Sequence, residues 1–232
     1  MGIEPTIDQS GILSEGLVGR WMVGVHGVPA LGTVTDRSGK GNDGTCVGDA
    51  FVNGDGLQLD GTGDYVAINS SLVDLATHDI SAGAWAKIPT AGTGNPSMIF
   101  SQSINVGYSM LLLEFDSTDS SKIIYRDDTV TASIAVIGDP VAGDTWTHVF
   151  FSWATATKTM ELFVDGVSQG TAADIASAVA YFDKVSIGAF PKVVPLVELD
   201  GSISDMRIYN RVVSAAEVKA IYNNTKWRHQ NA

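Results

Sequence analysis

From Leu17 onward the chain is cut into short runs of branched and aromatic residues, each closed by Gly, Asp, Asn, Ser or Pro. Leu57 and Leu59, then Tyr65, Val66 and Ile68, flank a glycine-rich centre. Ile80–Ile88, Tyr108–Phe115, Ile123–Arg126, Trp146–Trp153, Met160–Val164, Val185–Ile187 and Ile203–Tyr209 follow. Runs of this length and composition predict β-strands. Asp165-Gly166, directly after Glu161–Val164, predicts a tight hairpin turn. No helical pattern alternates with the strands, which excludes a parallel α/β sheet. One helix is expected: Ser214 and Glu217 have capping-box spacing, and Val218, Ile221 and Tyr222 form an apolar face at helical period. The residues therefore predict an all-β fold with one short C-terminal helix.

Composition narrows the function. At 232 residues the chain suits one sandwich-sized domain, and 44% hydrophobic against 17% charged residues excludes disorder. The net charge of −12, with only 14 Lys and Arg, provides no basic cluster for phosphates, so nucleic acid and insertion into or onto an anionic membrane are excluded as partners. No apolar run approaches the ~20 residues of a membrane helix, and Met1-Gly2-Ile3-Glu4-Pro5 lacks the basic and apolar regions of a secretory signal. Cys46 stands alone, so no intrachain disulfide forms, and it is expected to pack as a small hydrophobe. Residues 1–16 lack periodicity and read as an N-terminal arm, 17–223 as the domain, and 224–232 as a tail. Tyr65 and Trp146 are expected in the core.

Six segments in order carry a resemblance. They are Gly16–Trp21 with Asp36–Gly44; Leu59-Asp60-Gly61 with Asp64-Tyr65-Val66; Ile80–Trp85; Trp146-Thr147-His148-Val149; Leu162–Gly166; and Gly201–Arg211 with Ser214–Glu217. Together, over residues 16–223, they resemble the laminin-G-like domains of the concanavalin A-like lectin/glucanase superfamily. The resemblance implies a two-sheet antiparallel jelly-roll β-sandwich. It implies binding, adhesion or glucanase functions without choosing among them.

Glu114-x-Asp116-x-x-Asp119 is the candidate catalytic set. The resemblance implies it, because glucanases of this fold carry Glu-x-Asp-x-(x)-Glu on one strand. A retaining pair needs carboxyl groups ~5–5.5 Å apart. Asp119 is one methylene shorter than Glu, and 116–121 also read as the polar turn of a hairpin between Leu111–Phe115 and Lys122–Tyr125. The expected reading is thus non-catalytic. The resemblance also implies a structural Ca²⁺ near the opening of the last strand, with Asp60 and Asp205 as candidates; Ser204 replaces the usual first acid. Gly39-x-Gly41-x-x-Gly44 has no helix after it and reads as a tight loop held by Asp36 and Asn42 rather than a phosphate site.

Trp21, Trp85, Trp146 and Trp153 can stack on sugars or fill the core, and three coincide with strand motifs, which favours the core. Segments 89–107 and 189–200 are expected to be rim loops that hold any ligand, with Asn95, Asn105, Phe190 and Glu198 as candidate contacts. His26, His78, His148 and His229 have no metal or triad spacing. The expected function is a non-catalytic binding or structural module, at the surface of a virus or phage particle or outside a cell. Its expected partners are a glycan or protein surface, with capsid or tail proteins bound through the arm.

Overall fold

The computed structural model describes residues 13–22, 32–68, 72–75, 77–89, 97–103, 110–115, 120–127, 132–173, 184–190 and 198–229. Strands are numbered β1 to β16 in chain order. One sheet runs β14 (Val167–Ala172), β13 (Thr159–Val164), β12 (Thr147–Ala154), β7 (Ile80–Lys87), β16 (Asp200–Tyr209), β5 (Leu57–Asp60), β4 (Phe51–Val52). The last strand is long enough to pair with β5 over Asp200–Ile203 and with β1 (Leu17–Trp21) over Met206–Tyr209. The other sheet runs β11 (Ala132–Pro140), β10 (Ser120–Asp127), β9 (Met110–Phe115), β8 (Ser97–Ser103), β15 (Lys184–Ile187), β6 (Tyr65–Ile68), β3 (Gly44–Val47), β2 (Thr33–Val34). Both sheets are antiparallel throughout these pairings.

Period-2 alternation sorts the side chains. In β7, Ile80, Ala82, Ala84 and Ala86 enter the core between the sheets, as do Val149, Phe151 and Trp153 of β12. The opposite face of this sheet is also covered. There Phe150, Phe163 and Tyr209 pack with Val213 and with Val218 and Ile221 of the helix α1 (Ala215–Thr225). Burying a large apolar side chain contributes roughly 1.5–3 kcal/mol, so this second layer adds materially to the core. The helix begins as its sequence predicts, with a reciprocal capping box between Ser214 and Glu217. Asp165 and Gly166 both have positive φ, 50° and 71°, which makes the β13–β14 connection the tight turn expected of Asp-Gly.

Three expectations are corrected. Segment 89–107 is not all loop, because β8 occupies Ser97–Ser103 in the middle of a sheet, between β9 and β15. Tyr65 is only half-buried: Val66 and Ile68 take the inward positions of β6, and alternation turns Tyr65 outward. Residues 224–229 do not trail away. The helix runs to Thr225, a 3-10 turn spans Lys226–Arg228, and His229 is buried against Trp85 and Trp146. At the other end, residues 1–12 of the arm lie outside the described residues, while Leu13 packs against the helix layer and its carbonyl accepts the Tyr209 hydroxyl at 3.1 Å.

Candidate functional site

Glu114 sits on β9 opposite Lys122 of β10, in the hairpin that its flanking sequence predicts. Leu111, Leu113 and Phe115 face the core, so alternation puts Glu114 on the outer face of the sheet. It is nonetheless buried, and Lys122 Nζ lies 3.9 Å from its carboxylate. Asp116 and Asp119 lie outside the described residues, as do Asn95 and Asn105. Phe190 is buried, which leaves little ring face for a sugar, and Glu198 is half-buried.

The two candidate metal ligands separate. Asp60 joins Asp49 and Asp64 in a cluster whose carboxylate oxygens all lie within 4.8 Å of one another. The β3–β6 pairing carries Val47 beside Tyr65 and thereby brings Asp49, just after β3, next to Asp64, just before β6. Asp64 is buried and accepts the Asp49 amide at 2.8 Å and the Asp60 amide at 3.2 Å. Burial first, then the side-chain hydrogen bond with Asp49 and last the Asp49 charge, raise its pKa against these amide bonds. Hard oxygen donors of this kind suit Ca²⁺, which takes six to eight, of which three carboxylates supply part.

Asp205 is committed elsewhere. A bulge between Ser204 and Arg207 interrupts the β16–β7 register, and Asp205 there has a positive φ of 46°. The extra residue lets Ile203 and Met206 both reach the core while Asp205 and Arg207 share the other face. Arg20 Nε donates to Asp205 Oδ1 at 2.9 Å and Arg207 Nη2 to Oδ2 at 2.7 Å. Burial would raise the Asp205 pKa, but the two guanidinium groups overcome it and hold the carboxyl well below the usual range. With both oxygens taken by arginine, Asp205 has none to spare for a cation.

Asp36 plays the loop-holding role expected of it. Its carboxylate accepts the amides of Arg20, Ser38 and Asn42 at 2.9, 2.8 and 3.0 Å. Asn42 contributes differently, donating its side-chain amide to the Val18 carbonyl at 2.7 Å. Trp21, Trp85, Trp146 and Trp153 are all buried, so none offers a free face. The exposed indole is Trp227, at 60%. It was missed because its segment has no strand pattern. His148 and His229 pack with Trp85, at ring separations of 5.3 and 4.5 Å. Burial, aided by Arg207, pushes His148 down to about 3, and burial pushes His229 down to about 4, so both are neutral near pH 7.

No curated protein matches the chain. Among solved structures, the receptor binding domain of botulinum neurotoxin C/D mosaic serotype superposes with a TM-score of 0.69 at 15% identity, covering 91% of this chain and 52% of that one. Trypanosoma rangeli sialidase gives 0.69 at 17%, covering 92% and 33%. The botulinum neurotoxin serotype D ligand binding domain in complex with N-acetylneuraminic acid gives 0.67 at 14%, covering 91% and 51%. The chain thus spans about half the length of the toxin domains and a third of the sialidase. These likenesses establish the sandwich fold. The sequence profile of a laminin-G family, described as concanavalin A-like lectin/glucanases superfamily, matches residues 60–219. With more than half of the chain inside that match, this protein belongs to the laminin-G-like family of the concanavalin A-like lectin/glucanase superfamily.

Proposed function

We propose that this chain is a non-catalytic recognition module that binds glycan. The observation that carries the reading is the sandwich itself: it spans 91% of this chain in superposition on toxin domains named for receptor and ligand binding, one of them in complex with N-acetylneuraminic acid. The non-catalytic part rests on Asp119, one methylene shorter than the glutamate that the glucanase pattern carries at that place. We place a structural Ca²⁺ at Asp49, Asp60 and Asp64, where it would tie the turn after β3 to the loop between β5 and β6. A narrower form of the reading puts the module on a virus or phage particle, anchored by the apolar residues Ile3, Ile7 and Ile12 of the arm.

The full-length chain should retain a subset of immobilised glycans and release no reducing sugar from β-glucans. Release of sugar that disappears in Glu114→Gln would make the protein a hydrolase. Failure to retain any glycan would remove the recognition reading.

A further inference from the structure

A cleft of about 450 Å³ opens where β1, the loop after β2 and the end of α1 meet, lined by Arg20, Arg37, Arg207 and Arg228 with Leu13 and Leu17. Its volume is that of a small-ligand site. Four arginines on one cleft are conspicuous in a chain with 14 basic residues and a net charge of −12. The buried acids nearby do not neutralise them all. Asp205 is one carboxylate shared by Arg20 and Arg207. Asp36 spends its oxygens on backbone amides and the Ser38 hydroxyl.

Arg228 is the telling residue. Its Nε and Nη1 are buried and have no hydrogen-bond partner. Desolvating such donors without an acceptor is costly, which is why buried polar atoms are nearly always paired. The guanidinium fork matches a carboxylate or sulfate through two parallel bonds. Beside it stands the exposed ring of Trp227, whose centroid is 5.0 Å from the Arg228 guanidinium carbon. That contact stacks the guanidinium on the indole and holds it at the edge of the cleft.

We propose that this cleft is an oxyanion site that receives the carboxylate or sulfate of an acidic saccharide, with Arg228 and Arg37 as the receiving groups. The saccharide rests on the glycan-recognition reading; the oxyanion site rests on the arginines alone.

The test is calorimetric titration of the full-length chain at low ionic strength, so that screening does not mask the attraction. The probes are D-glucuronate, D-glucose and inorganic sulfate. Glucuronate and glucose differ only in the carboxylate, so the pair isolates the charge. Glucuronate should bind, glucose should not, and sulfate should compete. Arg228→Gln and Arg37→Gln should each weaken binding ~10-fold or more, the loss expected for a charged hydrogen bond. Lys40→Gln, exposed and outside the cleft, should change nothing. Arg228→Gln gives up no hydrogen bond of Nε or Nη1 and only the contact with the exposed Trp227 ring, so it should fold, and the exposed Arg37 provides a second variant. Sulfate binding without glucuronate binding would overturn the saccharide while keeping the oxyanion. Binding of neither, or binding indifferent to both arginine variants, would overturn the site; glycan retention that survives this result would leave the recognition reading standing.

Discussion

His148 and His229 lie in an aromatic layer with Trp85, Trp146 and Tyr222, and protonating either ring would put a charge where no water can solvate it. Arg207 adds repulsion at His148 that the Asp205 charge only partly offsets, whereas at His229 the Asp205 attraction exceeds the Arg228 repulsion and burial alone drives the shift. In the unfolded chain both rings titrate near 6.5. In the fold they titrate at about 3 and about 4. Between those values the unfolded state binds more protons, so stability is full above about 6.5 and falls as the pH drops. The slope should approach ~1.4 kcal/mol per pH unit for each ring. Urea unfolding at pH 7 and pH 5 measures it. His229→Phe keeps a ring on Trp85 and should make the slope shallower; an unchanged slope would mean that other groups govern acid unfolding. Neither histidine showed this in the sequence, since both partnerships arise from strands and a helix end far apart along the chain.

Among the elements, the central strand β7 is buried on both faces and depends on small residues. Gly83 faces the helix layer, and a methyl group there would collide with the Phe150 ring and the Val149 carbonyl. β7 pairs with β12 at this point, Gly83 opposite Phe150, so neither strand can retreat without breaking the ladder. Gly83→Ala should therefore destabilise by ~1–3 kcal/mol, the usual cost of overpacking, although alanine is ordinarily the better residue in a strand interior. Thermal melting that matches wild type would show that the helix layer can yield. β7 was legible because Ile80, Trp85 and Ile88 punctuate it. β8 was not, because it carries Ser101 and Gln102 into a buried position. Their partners, the Ser186 hydroxyl and the carbonyls of Ala189 and Val73, become visible only once the strands are paired. β14 escaped for the opposite reason: as an edge strand it is mostly exposed and shows no apolar alternation. Of the site, Asp60 was legible from its motif, whereas Asp49 and Asp64 become its neighbours through the β3–β6 register.

At the scale of the whole molecule, the two ends of the domain close on each other. β1 lies along β16, the Asn210 amide donates to the Gly16 carbonyl at 2.8 Å, and Arg211 Nε donates to the Glu15 carbonyl at 2.9 Å. Tyr209 holds the Leu13 carbonyl, and Leu13 packs against the layer that α1 covers. Arg211 also grips the capping residue Glu217 at 2.8 Å, so the segment before β1 is tied to the start of the helix through one guanidinium. The sequence placed the end of the arm at residue 16 because periodicity starts at Leu17, and backbone carbonyls that accept side-chain donors leave no mark on a sequence. Two truncations separate the parts. Removal of residues 1–16 takes away Leu13 and three hydrogen bonds to β16 and its exit, whereas removal of 1–12 leaves all of them in place. At roughly 0.5–1.5 kcal/mol per hydrogen bond plus the Leu13 burial, the shorter chain should melt several degrees below the 13–232 chain. Equal melting temperatures would mean that Leu13–Gly16 rest on the sandwich without stabilising it, and would return the whole of 1–16 to the role of a free arm.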